Sequence, residues 1–220
     1  VNLRYAVLTG NDDDDLDYDE GYKGNIQYAI IKKSDNAAPQ GSNDPRGIEA
    51  NSSDSDYVPQ TEAVIANVLL LGGAVNNAAG AEQPGMRLRG SVTTSIFNSA
   101  VNGFNTGCIR IDDSDTNGDT TVDSFSVVNL TNVIGNCTDG FYDRRNADSE
   151  SNAGAATFSV DNALAIAEAV GQLGAAPTVT AVANGSSFQF DATNYIGAVA
   201  PGTAANEAWW ADWTLPGSVQ

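Results

Sequence analysis

An internal repeat constrains this chain more than any other feature of its sequence. Laid under one another, five short apolar-rich stretches align: 2–10 (NLRYAVLTG), 25–33 (NIQYAIIKK), 64–73 (VIANVLLLGG), 95–103 (SIFNSAVNG) and 129–136 (NLTNVIGN). Each is followed by a second short stretch: 15–19 (DLDYD), 47–51 (GIEAN), 85–89 (GMRLR), 107–112 (GCIRID) and 140–144 (GFYDR). The first stretches begin at 2, 25, 64, 95 and 129, a spacing of 23 to 39 residues. A two-strand unit recurring at that period is the mark of a solenoid, in which a repeat buries its apolar face only by stacking on its neighbours. The spacers 34–46, 51–60 and 75–84 are polar or rich in small residues and read as surface loops.

The competing architecture, a sandwich of antiparallel hairpins, would advertise two-residue turns between adjacent strands. The pair Asn184-Gly185 is such a turn, but it lies outside the repeats. The pattern therefore predicts an all-β chain: a right-handed parallel β-helix of about five rungs over 1–150, with 151–220 belonging to the same domain. Asn at the edges of the stretches suits such a coil, because stacked side-chain amides can bond from rung to rung.

Beyond residue 150 the pattern changes. Residues 161–173 (DNALAIAEAVGQL) carry apolar residues at helical spacing between an acidic N-cap, Asp161, and a stop at Gly174, which predicts one helix. Strands are expected at 178–183 and 187–191, either side of Asn184-Gly185. Trp209, Trp210 and Trp213 crowd the far end. An open solenoid end exposes core and backbone, so the helix and the aromatic tail are expected to cap it. Stacking on a sugar is the functional alternative for the three tryptophans.

Ten Lys and Arg face 28 Asp and Glu, and with no His the formal net charge is −18. Nucleic acid and anionic membrane would be repelled. The lack of His excludes a Ser-His-Asp triad and removes the commonest zinc ligand. Hydrophobic residues still make up 41% of the chain, enough for a core. No apolar run approaches the roughly 20 residues that span a bilayer. The first residue is Val with no signal peptide before it, so the chain reads as processed or cut from a longer precursor.

So many carboxylates call for a saline habitat or bound cations. The stretch 113–124 (DSDTNGDTTVDS) opens like an EF-type calcium loop, with Asp113, Asp115, Asn117 and Asp119 offering oxygens around Gly118. It departs from that pattern in having Ser124 where the bidentate Glu belongs. A second candidate is Asp12, Asp13, Asp14 and Asp15 with Asp17, Asp19 and Glu20, seven acids within nine residues. Like charges at strand spacing repel, and Ca2+ would relieve them. A solvated acidic loop is the plain alternative at both places.

If Leu16, Ile48, Met86, Ile109 and Phe141 point inward, alternation sends Asp17, Glu49, Arg87, Arg110 and Tyr142 outward as a ladder. Two residues on, Asp19, Asn51, Arg89 and Asp112 would share that face. Ion pairing between rungs accounts for the pattern without catalysis. Cys108 and Cys137 fall near the starts of consecutive second stretches. Rungs about 4.8 Å apart lie within the Cα range of a disulfide, so a bridge between coils is favoured over two buried thiols, and it implies an oxidising compartment. Sequons at Asn51, Asn129, Asn136 and Asn184 are what chance supplies in a chain this rich in Asn, Ser and Thr.

The stretch 10–27 (GNDDDDLDYDEGYKGNIQ), the repeated strand pairs, and the closing 195–198 (YIGA) and 209–214 (WWADWT) resemble secreted right-handed β-helix proteins of Gram-negative bacteria. These are lipoproteins or surface proteins of unassigned function, similar in architecture to the pectate-lyase-like superfamily. The resemblance covers nearly the whole chain and implies location and shape rather than any catalytic residue. Pectate-lyase-like enzymes pair calcium-binding acids with an Arg or Lys base, so for an enzyme the resemblance would point to Arg87, Arg110, Glu49 and Asp17, abstracting a proton beside a uronate carboxylate. No complete catalytic set is visible. The expected role is therefore a non-enzymatic, calcium-stabilised structural or adhesive component, secreted or on the outer cell surface, joined end to end with copies of itself or with other surface components. A polysaccharide-binding or uronate-cleaving module is the alternative.

Overall fold

The computed structural model describes residues 1–37, 44–52, 58–80, 82–114, 124–143, 153–160, 174–185, 187–216 and 218–219. Through them run strands β1 (Leu3–Thr9), β2 (Leu16–Tyr18), β3 (Lys23–Lys32), β4 (Ile48–Ser52), β5 (Glu62–Leu71), β6 (Met86–Gly90), β7 (Thr93–Phe97) and β8 (Ala100–Asn102). They continue as β9 (Ile109–Ile111), β10 (Asp113–Ser114), β11 (Ser124–Phe125), β12 (Val127–Asn136), β13 (Ala153–Val160), β14 (Gly174–Val179) and β15 (Thr193–Ile196).

Sequence order alternates between two parallel sheets. One runs β1-β3-β5-β7-β12-β13, with β8 between β5 and β12; the other runs β2-β4-β6-β9. Successive passes of the backbone therefore stack on one another, as the repeat predicts, and the chain is a parallel β-helix. In the second sheet Leu16, Ile48, Met86 and Ile109 stand in register. The fifth member shifts by one: Tyr142, expected beside Arg110, bridges Ile109 instead, while Phe141 is still buried.

The long strands are bent, each at one residue of positive φ: Tyr5 (63°), Tyr28 (62°), Asn67 (54°) and Asn132 (55°), with Asn98 (45°) in the break between β7 and β8. The regular pairing skips these positions, passing from Arg4↔Gln27 to Ala6↔Ala29 and from Gln27↔Ala66 to Ala29↔Val68. The long sheet is thus two faces meeting along a stacked left-handed corner. Asn enters that conformation most readily among residues with a side chain, because its short amide bonds locally. Here Asn132 Nδ2 donates to Asn98 Oδ1 at 3.0 Å and Gln27 Nε2 to Asn67 Oδ1 at 3.3 Å. Amides also join rungs at strand edges, Asn136 to Asn102 at 2.8 Å and Asn25 to Asn2 at 2.7 Å.

Asn98 is buried and its amide also donates to Thr193 Oγ1 at 2.8 Å. Asn98→Val should destabilise the chain by about 1–3 kcal/mol in urea unfolding, since it loses these bonds and forces a β-branched residue to positive φ. Asn98→Gly, which relieves only the backbone, should recover part of that loss.

Inward residues of every face, among them Ile31, Ile48, Ile65, Leu70, Met86 and Ile109, form one aliphatic core. The Cys108–Cys137 disulfide joins it, with Cα atoms 5.5 Å apart, as the rung spacing anticipates.

The aromatic tail does not cap an end of the coil as expected. It lies along the flank of the long sheet, where Val7, Ile30, Leu69, Ala100 and Ile134 stack one per rung on the outer side. An outward aliphatic stripe needs a cover, and Ile196, Ala198, Val199, Ala208, Trp210 and Val219 supply it. A second outward stripe, Val64, Ala66 and Phe97, is covered by Ala181, Phe188 and Phe190. The strands anticipated at 178–183 and 187–191 are displaced: β14 and β15 pair antiparallel, and 187–191 forms no strand. Side chains hold its backbone instead, since Gln27 Nε2 donates to the Asp191 carbonyl and Gln27 Oε1 accepts from the Asp191 N–H, both at 3.0 Å. The expected helix over 161–173 lies outside the described residues.

Candidate functional site

The acidic segment before β2 packs against cations brought by the next rung. Lys33, at the end of β3, and its partner Asp15 both have fully buried side chains and meet at 2.8 Å. Lys33 Nζ also donates to the carbonyls of Arg46, at 3.1 Å, and Asp13. Arg46, just before β4, pairs with Asp14 at 3.4 Å, Asp44 at 2.6 Å and Glu49 at 3.3 Å. Asp14 accepts the Arg46 backbone N–H as well, at 2.7 Å.

Of the calcium ligands expected here, Asp14 is therefore committed to Arg46 and Asp13 is exposed. With Asp12 they do not converge on one point, and among the described residues no three acidic or Cys side chains group as a metal site. In the other candidate loop Asp115, Asn117, Gly118 and Asp119 lie outside the described residues. Asp113 sits in β10, which pairs antiparallel with β11 (Asp113↔Phe125, Ser114↔Ser124) and brings the two ends of that loop together.

Burial raises the Asp14 carboxyl to about 7, outweighing the opposing pull of Arg46, and burial raises Asp15 in the same direction against Lys33. A carboxyl whose folded pKa exceeds its unfolded value binds protons more tightly when folded, so its contribution to stability falls as pH rises between the two values. Unfolding free energy should therefore drop by on the order of 2 kcal/mol between pH 5 and pH 8. Asp14→Asn should flatten most of that slope in urea titrations run across the range.

On the outward face of the second sheet Asp17, Glu49, Arg87 and Arg110 stand in one register row, so the structure brings together the four residues that a lyase would use. Their bonding is ionic and mutual. The two carboxylate oxygens of Asp112 receive Arg87 Nε and Arg110 Nε, each at 2.9 Å. Glu49 receives both Arg89 Nη2 and Arg46 Nη1 at 3.3 Å. Asp17 is exposed at the end of the row. Beside it, at the first rung, a cavity of about 390 Å³ is lined by Leu3, Leu16, Tyr18, Tyr22 and Ile26, with Asp15, Asp17 and Asp19 at its edge.

The three tryptophans part company. Trp210 is buried in the flank cover, which removes it as a sugar platform. Trp209 is half-buried with its indole N–H on the Ala198 carbonyl at 2.9 Å. Trp213 is exposed, bonds the Trp209 carbonyl at 2.7 Å and lies tilted against the Trp209 ring. Among the described residues no helix is long and apolar enough to cross a membrane.

Sequence reasoning missed Lys33 and Arg46 as the partners of the acidic run, although they bracket the 34–46 loop in a chain with only ten cations. It placed Asp112 on the ladder face without seeing that it clamps two arginines.

No curated protein and no solved structure matches the chain. The family described as a pectate-lyase-like beta helix domain has a sequence model that matches residues 1–214, nearly the full length. The parallel, in-register rungs agree with that match, and the chain belongs to the pectate-lyase-like β-helix family.

Proposed function

We propose that this chain is a non-catalytic, secreted or cell-surface β-helix scaffold whose ionic flank ties rung to rung. One observation carries this: Arg87 and Arg110 are both bound by the single carboxylate of Asp112. A guanidinium so paired is tied by its Nε–H to that carboxylate, whereas a base for proton abstraction must be presented to the substrate. The disulfide within the core suits an oxidising compartment and supports an extracellular location.

Incubation with uronate polymers and calcium, followed by ultraviolet absorbance of unsaturated products, tests the reading. No product is expected, from the wild type or from Arg110→Ala. Product formation that disappears in Arg110→Ala would establish a lyase instead. Calcium belongs to the same proposal at the 113–119 loop, where the oxygen-rich ligand set suits a hard cation and β10–β11 closes the loop. Chelation should lower the melting temperature if the metal binds the folded form, and an unchanged midpoint would reject it.

End-to-end assembly is supported by the parallel, in-register stacking itself, because the same rung-to-rung pairing can continue between copies. Sedimentation velocity over a concentration series should show growing species. A constant monomer would exclude assembly.

A further inference from the structure

Where the C-terminal segment crosses the left-handed corner, aromatic rings form a continuous strip in which Tyr5 and Trp213 are exposed and Tyr28 is buried. Tyr5 lies flat on Tyr28, with centroids 5.1 Å apart and planes within 9°. Trp209 follows 5.4 Å from Tyr5, and Trp213 5.8 Å from Trp209. The strip is not finished by packing, for Tyr5 remains 45% and Trp213 57% exposed, against 5% for Trp210 beside them. Both indole N–H groups are spent on backbone carbonyls, which fixes the rings.

A cavity of about 250 Å³ opens along this strip, lined by Tyr5, Tyr28, Tyr195, Thr203, Glu207 and Trp209, with Ala198, Val199 and Ala200 along its wall. Its polar groups are hydroxyls and one exposed carboxylate. Burial raises the Tyr28 and Tyr195 hydroxyls, which are hydrogen-bonded to one another. Tyr28 gives its proton to Asp191 Oδ2 at 3.1 Å, so towards a ligand its oxygen can only accept.

From this geometry we propose that the aromatic corner is a binding site for an uncharged pyranose oligosaccharide. The apolar C–H face of a sugar ring stacks on an aromatic face, while its hydroxyls bond acceptors and donors at the rim. Charge selects the class of sugar. Among the described residues the lining holds Glu207 and no cation, on a chain of net charge −18, so a uronate chain would meet repulsion where a neutral one would not. The site lies on the corner of the long sheet, apart from the ionic row on the second sheet, and it is independent of the scaffold reading.

The test titrates the full chain with cellohexaose, mannohexaose and oligogalacturonate, read by tryptophan fluorescence and calorimetry. At least one neutral oligosaccharide should bind saturably, with no binding of oligogalacturonate. Tyr5→Ala and Trp213→Ala, both at exposed rings, should each weaken that affinity by roughly three- to tenfold while the chain stays folded at the titration temperature. Trp210→Phe should leave the affinity unchanged. The proposal is overturned if neither neutral sugar binds, if oligogalacturonate binds as well, or if both exposed-ring variants bind like the wild type.

Discussion

Lys33→Met should lower the unfolding free energy by about 3–5 kcal/mol at pH 7, read as a shift of the urea midpoint. The expected loss follows from what the substitution leaves behind. The Asp15 carboxylate has no exposed side-chain surface and meets Lys33 at 2.8 Å, so without the ammonium a charge is stranded in the interior. Methionine restores the volume of the aliphatic stem and isolates the electrostatic part of the effect. The loss should shrink at pH 5, because an unpaired buried carboxyl takes up a proton more readily. Adding Asp15→Leu should return most of the stability, since an apolar pair of similar size replaces a buried ion pair at little cost. A loss below about 1 kcal/mol for Lys33→Met would mean that the ammonium is not what neutralises the acidic segment.

Removing the bridge as Cys108→Ala/Cys137→Ala should cost about 2–5 kcal/mol, combining the freedom returned to the unfolded chain with the lost packing of two buried side chains. The half-cystines are 29 residues apart in sequence and both sit in the core. Their link also fixes the start of the next rung, where the Phe141 carbonyl accepts the Cys108 N–H at 3.0 Å. Reductant added to the unfolded wild type before refolding should give the same drop in midpoint, less the packing part. Indifference to reduction would show that the stack holds that rung without help.

The register of the second sheet was legible because its stretches are short and strictly alternating: Leu16, Ile48, Met86 and Ile109 could face only one way. The disulfide followed from the same spacing. The corner was hidden inside the longer stretches, where 28–31 (YAII) and 68–71 (VLLL) read as continuous apolar runs. Tyr5 and Tyr28 occupy positions that Asn67, Asn98 and Asn132 hold in later rungs, and tyrosine does not announce a left-handed residue. Without that bend the inward and outward sets could not be separated.

The position of the tail was misread for a related reason. Val7, Ile30, Leu69, Ala100 and Ile134 are apolar on the outer side of a stack whose inner side is already filled. Two apolar faces call for a cover on the flank, a signal present in the sequence but readable only once the corner is known. In the candidate site, the ladder was visible as a row of charges. The clamp of Asp112 on two arginines depends on side-chain reach across rungs, and the pairing of Lys33 with Asp15 spans 18 residues, so neither follows from local spacing.

Oxidative cross-linking of neighbouring rungs tests the in-register stack most directly. Glu49 and Arg87 stand opposite one another in parallel register, while the next residue, Leu88, is buried in the core. Strands about 4.8 Å apart are within disulfide reach, so Glu49→Cys/Arg87→Cys should oxidise almost completely within one chain. Glu49→Cys/Leu88→Cys, with its second thiol turned inward, should stay reduced. Equal oxidation of the two variants, or oxidation of the second alone, would contradict the parallel register on which the ionic flank, the left-handed corner and the aromatic strip all stand.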